Sequence, residues 1–401
     1  MNHHHHKNPR SNLWRTLFSI QIRTLPGISR QYLLSGNGLP LPNSLLTIHH
    51  SPLTIHQKYM HRCLELAKLG AGSVAPNPMV GAVLVYEDRI IGEGFHEKYG
   101  EAHAEVNCIN QAIKNGHAAL IPLSVIYVSL EPCAHFGKTP PCADLIIRHK
   151  IPKVVIGCRD PFKEVDGKGI EKLKAAGVEV INGVLEEECQ ELNKRFFTFH
   201  IQHRPYIILK WAQTGDSKIS SGTNQRLLIS NEYTNRLVHK WRSEEAAILV
   251  GTNTVNHDDP ELTTRLWPGK SPVRLIVDMH LRLPSFLKVF DGTVRTIVFN
   301  SIKHEEDENC LYYQVTEDVS LVHQMMNALY QLKIQSVIVE GGAALLQSFI
   351  DEGVWDEARV ISNMQLVIGK GLPSPKLRKA NKTTEQIIFS DKIETYIDVA
   401  L

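Results

Sequence analysis

One histidine, two cysteines and one carboxylate are spaced along this chain as a hydrolytic zinc site requires. His103-Ala104-Glu105 comes first, Pro132-Cys133 follows about thirty residues later, and Cys142 closes the set. A catalytic zinc takes three protein ligands and keeps a fourth position open for water, and His103, Cys133 and Cys142 supply that number. The metal acidifies its water, so that hydroxide forms near neutral pH. Glu105 is close enough to His103 to shuttle a proton without being a ligand. A closed structural site needs four ligands, so this set points to catalysis. Taken singly, each residue has a plainer reading. A lone histidine is usually a surface or hydrogen-bonding residue, and two cysteines are often core fillers. The zinc reading rests on the whole set in this order, flanked by a strand and a helix.

A second chemistry lies downstream. Val339-Glu340-Gly341-Gly342 follows a β-rich run and opens a helix. Two glycines let backbone N–H groups approach an anion at the positive end of that helix. Glycine at such a junction often has only a steric reason, and the run lacks a full G-x-G-x-x-G fingerprint, so no Rossmann domain is inferred.

The rest of the chain must position these residues. With 401 residues it is long enough for two ordinary domains. Hydrophobic residues make up 43% and charged residues 21%, which fits a globular protein. No apolar run reaches the length of a membrane span. The net charge of +2 comes from the first 55 residues, which hold five basic residues and no acid; beyond them 39 basic residues face 42 acidic ones. That balance excludes the basic excess of a nucleic-acid binder. The odd number of cysteines, seven, and their irregular spacing indicate a reducing compartment, and a cytoplasmic location is expected. Apart from Cys133 and Cys142, most are expected to be buried apolar fillers.

Residues 1–55 contain His3 to His6 and no sustained period. They read as a dispensable disordered tail or mis-started stretch, as an organellar transit peptide, or as a His-rich metal-binding tail. From Gln57 helices and strands alternate. Helices are predicted from Gln57 to about Gly70, then over 104–114, 142–149, 169–176 and 186–199, with strands over 79–86, 89–94, 124–130, 153–157 and 178–181. This order implies a sheet covered on both faces. A boundary is predicted at 202–205. Beyond it, strands are expected over 206–211, 246–251, 273–277, 296–299 and 336–340, helices over 232–242, 321–332 and 343–352, and a terminal antiparallel pair over 385–389 and 393–399. The expected domains are 56–202 and 203–401.

A related signature, H-x-E with P-C-x-x-C, marks zinc nucleobase deaminases. Here eight residues, not two, separate the cysteines, and His135 and Lys138 in that run are candidates to meet an anionic substrate group. The run carries a family resemblance. Leu130-Glu131-Pro132-Cys133 through Gly137-Lys138-Thr139-Pro140-Pro141-Cys142 resembles the deaminase domain of the bifunctional riboflavin-biosynthesis deaminase/reductases. Asn77-Pro78, Val80-Gly81, Gly94-Phe95-His96, the run from Gly100 to Glu105, Arg159-Asp160-Pro161 and Gly167-Lys168-Gly169 extend the match, which covers about Lys58 to Leu401. The resemblance implies an α/β protein with a cytidine-deaminase-like three-layer domain followed by a dihydrofolate-reductase-like domain. It implies zinc-dependent loss of ammonia from C2 of 2,5-diamino-6-(5-phosphoribosylamino)pyrimidin-4-one, with Glu105 catalytic. It also places Asn77, His96 and Asp160 near the substrate. Phe162 stands where some relatives have an asparagine.

For the second domain, Lys210 to Lys218, Leu249-Val250-Gly251, Thr254-Val255, Asp258-Asp259-Pro260, Leu262-Thr263 and Arg265 resemble the family's reductase. The resemblance implies NADPH-dependent reduction of the ribosyl group to ribityl. It puts Ala212, Thr254, Asp258 and Gly342 near NADPH, and Arg242, Leu262, Arg265 and Glu340 near substrate. Arginines suit an acceptor with a phosphate tail because the guanidinium binds it bidentately. The chain departs from the pattern at Thr214 to Ser217 and Leu227 to Ser230, where Leu228 replaces a tryptophan bordering the cofactor. The enzyme is expected to be a homo-oligomer acting on a small molecule, with no nucleic-acid or membrane partner. The alternative is a zinc deaminase of a free base or tRNA carrying a degenerate, non-catalytic C-terminal domain.

Overall fold

The computed structural model describes residues 53–136, 140–222 and 227–399. The expectations for the N-terminal segment up to residue 52 and for Lys138 lie outside these residues. Among the described residues no helix is long and apolar enough to cross a membrane.

The first half is built on strands β1 (Gly81–Tyr86), β2 (Arg89–Phe95), β3 (Val125–Leu130), β4 (Lys153–Cys158) and β5 (Glu179–Asn182), in the order β2-β1-β3-β4-β5. β1 is antiparallel to both β2 and β3, whereas β3, β4 and β5 run parallel. Strand side chains alternate between faces. On one face Leu84, Val128, Val154 and Ile156 pack under helices α2 (Ala104–Lys114), α3 (Cys142–Arg148) and α4 (Lys168–Ala175). On the other, Val83, Val85, Tyr127 and Val155 pack under α1 (Ile55–Ala67) and Cys189 of α5 (Glu186–Leu192). Both faces are covered, so the strands read as near-continuous apolar runs. Thr54 starts α1 with a capping box: its hydroxyl accepts from the Gln57 N–H at 3.2 Å, and the Gln57 side chain accepts from the Thr54 N–H at 2.9 Å.

The single closing helix predicted over 186–199 is two helices, α5 and α6 (Lys194–Gln202). Asn193 breaks it. Its carboxamide accepts from the Met79 N–H at 2.8 Å and donates to the Met79 carbonyl at 2.9 Å. A long-range polar clamp of this kind leaves no trace in helical periodicity.

The second half is a ten-stranded sheet. In chain order its strands are β6 (Tyr206–Thr214), β8 (Ala247–Gly251), β9 (Val273–Val277), β10 (Thr296–Asn300), β11 (Glu305–Glu306), β12 (Cys310–Gln314), β13 (Ser336–Val339), β14 (Glu357–Asn363), β16 (Ala380–Ile388) and β17 (Asp391–Asp398). A small separate pair joins β7 (Lys218–Ser220) to β15 (Leu372–Pro373). The large sheet runs β11-β12-β10-β9-β8-β13-β6-β14-β17-β16. Helices α7 (Glu232–Glu244), α8 (Thr252–Asp258), α9 (Leu321–Gln331) and α10 (Ala343–Asp351) connect its strands.

β12, β14 and the short α8 go beyond the elements predicted. β14 was hidden because two of its buried positions are charged. Glu357 and Arg359 are both under a tenth exposed and bond to each other at 2.6 Å, while Lys194 of α6 reaches Glu357 at 3.0 Å. A further pair, Arg195 of α6 with Glu245, ties the two halves together, and just past the boundary Arg204 forks onto Asp356 at 2.6 and 2.8 Å. Each buried charge here has a partner, as burial demands.

β13 lies between β6 and β8 and is parallel to both. Their carboxyl ends therefore open at one edge of the sheet, where ligands of parallel sheets usually bind.

Candidate active sites

The zinc-type ligands arrive from three elements of the first half. His103 is the residue before α2, Cys133 lies in the loop just after β3, and Cys142 is the first residue of α3. The Cys142 N–H donates to Cys133 Sγ at 3.4 Å, and the Ala143 N–H to the Cys133 carbonyl at 3.1 Å. These bonds staple the loop to the helix across the eight-residue insertion. His103 Nδ1 stands 3.4 Å from Cys142 Sγ and 3.7 Å from Cys133 Sγ, and the three ligand atoms lie within 4.8 Å of one another. Two sulfurs and one imidazole nitrogen at this separation fit a tetrahedral zinc with one position left for water. Cys63, Cys108, Cys158 and Cys189 are buried, as expected of fillers.

Glu105 sits in the first turn of α2 and is 3% exposed. Burial pushes its carboxyl up to about 6, against the pull of His103. A carboxyl near neutrality both takes and gives protons. Asn77, His96, His103, Glu105, Cys133, His135 and Asp160 all line one cavity of about 630 Å³. Asn77 bonds His96 Nε2 at 3.1 Å, and His96 Nδ1 meets the Ala102 carbonyl at 3.0 Å, which fixes the ring beside His103. Asp160 accepts from the Phe162 N–H at 2.8 Å, and burial pushes its carboxyl up to about 7. His135 Nδ1 is buried without a partner among the described residues, so it is left to meet a ligand.

Glu131 holds this cavity in shape. It lies just before Pro132 and is 4% exposed. Its carboxylate accepts from the N–H groups of Gly169 at 2.9 Å, Gly167 at 3.0 Å, Ile170 at 3.2 Å and Asp160 at 3.3 Å. It thereby locks the 160–170 segment, with Asp160, to the arm that carries Cys133. Removing the carboxylate leaves four buried donors unpaired, at roughly 1–3 kcal/mol each before relaxation. Glu131→Ala is therefore expected to lower stability by about 3 kcal/mol or more and to reduce zinc retention, read by chemical denaturation and metal analysis. Wild-type stability in that variant would overturn the locking role.

The predicted second site opens at the carboxyl ends of β6, β8 and β13. Ala212 lies on β6, Thr254 and Asp258 on α8 just after β8, and Glu340 to Gly342 just after β13. A Cβ on Gly341 would stand 2.8 Å from the Thr254 side chain, so only glycine lets the turn pack there. Gly342 holds a left-handed φ of 80° at the start of α10.

Arg242 forks onto Glu340, with Nε–Oε1 at 2.8 Å and Nη2–Oε2 at 2.7 Å, and also donates to the Thr263 carbonyl at 3.2 Å. Lys210 reaches Glu340 at 3.4 Å. Burial pushes the Glu340 carboxyl up, but the charges of Arg242 and Lys210 outweigh it and hold it at about 2. The Leu262 side chain packs in the core with Val250 and Val255 and is not free to meet a ligand. Arg265 is half exposed and lies 3.6 Å from Glu261. Leu228 is 75% exposed and presents no aromatic platform.

Lys210 and His239 were missed as candidates in the sequence. His239 stands one helical turn before Arg242. It is 4% exposed, its Nδ1 has no partner among the described residues, and burial with the nearby Arg242 and Arg265 charges pulls it down to about 4. A histidine three residues before an arginine on one helix face was the available signal.

Comparison with known proteins covers both halves. Residues 53–158 match the family described as cytidine and deoxycytidylate deaminase zinc-binding region, and residues 205–381 match the RibD C-terminal domain. A riboflavin biosynthesis protein RibD from Aquifex aeolicus is 44% identical over 79% of this chain and 89% of its own length. That from Bacillus amyloliquefaciens is 39% identical over 80% and 87%. The crystal structure of a diaminohydroxyphosphoribosylaminopyrimidine deaminase/5-amino-6-(5-phosphoribosylamino)uracil reductase from Thermotoga maritima is 36% identical. It superposes with a TM-score of 0.76 and covers 86% of this chain and 99% of that chain.

Proposed function

The chain belongs to the RibD family and is a bifunctional deaminase and reductase of riboflavin biosynthesis; from that premise we propose which residues carry each step and on what substrate. In the first half, His103, Cys133 and Cys142 hold zinc, and the substrate is the phosphoribosylamino diaminopyrimidine named for the Thermotoga relative. The convergence of the three ligand atoms beside buried Glu105 carries this reading. Zinc, when bound, supplies an acidified water. Glu105 takes the proton of the attacking water and passes it to the ring nitrogen beside C2. Glu105 then carries the proton of the C2 hydroxyl to the exocyclic amino group, the bond from C2 to that group breaks, ammonia leaves, and C2 keeps the oxygen as a carbonyl. Asn77, His96 and Asp160 orient the pyrimidine, with His135 toward its substituents.

In the second half, Ala212, Thr254, Asp258 and the Gly342 turn receive NADPH, which supplies the hydride. A turn in which a Cβ would strike Thr254, at the open edge of a parallel sheet, fits a dinucleotide phosphate. Arg242, Glu340, the Leu262 backbone and Arg265 face the ribosyl substrate. The free-base or tRNA alternative is not favoured, because the relatives span both halves.

Purified protein is expected to carry about one zinc per chain. It should convert the diaminopyrimidine to the deaminated product, and to the ribityl product only when NADPH is added, both read by mass analysis. Stoichiometric zinc in a Cys133→Ala/Cys142→Ala double variant would remove the ligand assignment. Absence of NADPH oxidation with the deaminated intermediate would remove the assignment of the second half.

A further inference from the structure

The cavity that holds the zinc ligands does not end with the first half of the chain. Tyr330, Gln331, Lys333 and Gln335 form part of its wall, at the end of α9 and in the loop leading to β13. An aromatic run joins the two regions. His135 meets Phe162 at 6.0 Å between ring centroids, Phe162 meets His200 at 5.0 Å, His200 meets Phe199 at 5.3 Å, and Phe199 meets Tyr330 at 4.8 Å.

The position of this wall is fixed. The Lys333 N–H donates to the Tyr330 carbonyl at 3.0 Å, and the Ile334 N–H to the Leu329 carbonyl at 2.9 Å. α6, which carries Phe199 and His200, is held to the second half through the buried Lys194–Glu357 pair. Lys333 thus faces the deaminase cavity as a built feature of how the two halves meet.

The charge of the cavity is uneven. Glu101, Glu105, Glu131 and Asp160 line it. Burial lowers the basicity of His200, which also lines it. Among the described lining residues Lys333 is the one lysine or arginine, and no ion pair among the described residues engages its ammonium. A substrate with a phosphorylated tail needs a cation where that tail ends, and an aromatic wall suits the sugar between. We propose that Lys333, supplied by the reductase half, receives the phosphate of the deaminase substrate, so that the deaminase site is completed across the boundary between the halves. This rests on the substrate class assigned above and adds a residue that the deaminase domain alone does not contain.

The test uses the full chain and two substrates, the phosphorylated diaminopyrimidine and its dephosphorylated ribosylamino counterpart. Deamination is followed by mass analysis in wild type, Lys333→Gln, Lys333→Glu and Lys333→Arg. Glutamine and glutamate keep the unbranched stem that the left-handed φ of 58° already accommodates, and thermal unfolding checks that each variant is folded. Lys333→Gln should lower kcat/KM for the phosphorylated substrate about tenfold or more, mainly through KM, and Lys333→Glu further. The dephosphorylated substrate should respond less than the phosphorylated one by at least that factor, and Lys333→Arg should retain the preference for phosphate. Equal effects on both substrates, or no effect on either, would overturn the proposal. A wild type that deaminates both, with variants indistinguishable from it, removes Lys333 alone; a wild type that deaminates neither removes the substrate class as well.

Discussion

Replacing Glu105 by glutamine is expected to abolish most deamination while leaving the fold and zinc content intact. Glutamine has the same shape, so the first turn of α2 and the packing around a 3%-exposed side chain are preserved. What is lost is the ability to accept a proton from water and return it. General acid–base catalysis typically contributes 10²- to 10⁴-fold, so turnover should fall by ~10² or more. The wild-type carboxyl, pushed up to about 6 by burial, is matched to moving protons near neutral pH. The loss should appear in kcat, since the substrate-orienting residues are untouched. Reduction of separately supplied deaminated intermediate should proceed at the wild-type rate. Near-normal deamination in Glu105→Gln would exclude the proton-shuttle role; loss of zinc alongside activity would mean that Glu105 supports the metal instead.

The convergence of His103, Cys133 and Cys142 was legible because these are rare residue types held at short, ordered spacings next to strongly periodic elements. The helix predicted over 104–114 has those bounds in the structure, and it is this helix that sets His103 and Glu105 side by side. The second site was harder to read because its parts are common residues brought together over long separations. Arg242 and Glu340 lie 98 residues apart and meet in a fork that no local pattern announces. The same holds for Glu131, whose four donors come from residues 29 to 39 positions away. Strand β14 was missed because charges occupy two of its buried positions, satisfied only by tertiary partners. Lys333 carried no signal at all: nothing in a lysine after a helix tells that it faces a cavity of the other half.

Arg242→Ala is expected to weaken both the fold and the reduction step. The Arg242 and Glu340 side chains are only 13% and 6% exposed, and Lys210 alone would be left to face the carboxylate at 3.4 Å. Removing one partner of a buried pair typically costs ~3–5 kcal/mol, because the remaining charge stays buried and under-compensated. The pH dependence follows from the depressed carboxyl. Glu340 is held at about 2, below its ordinary 4.5, so the wild-type pair contributes its full stability above pH 4.5 and loses it as the pH falls toward about 2. Without Arg242 the carboxyl titrates higher, so the acid-induced loss, which still begins near pH 4.5, should be smaller and be complete at a higher pH.

Activity separates the two roles of this pair. Losing a charge-assisted contact to substrate costs about ten- to a hundredfold in kcat/KM for reduction, with deamination spared in protein that remains folded. An Arg242→Met/Glu340→Gln double variant removes both charges together and should recover part of the lost stability. It should not recover reduction, because the donors that would meet a ribosyl substrate are gone. If that double variant regains wild-type kcat/KM, the pair is only a structural clamp, and substrate recognition in the second half must pass to Arg265 and His239.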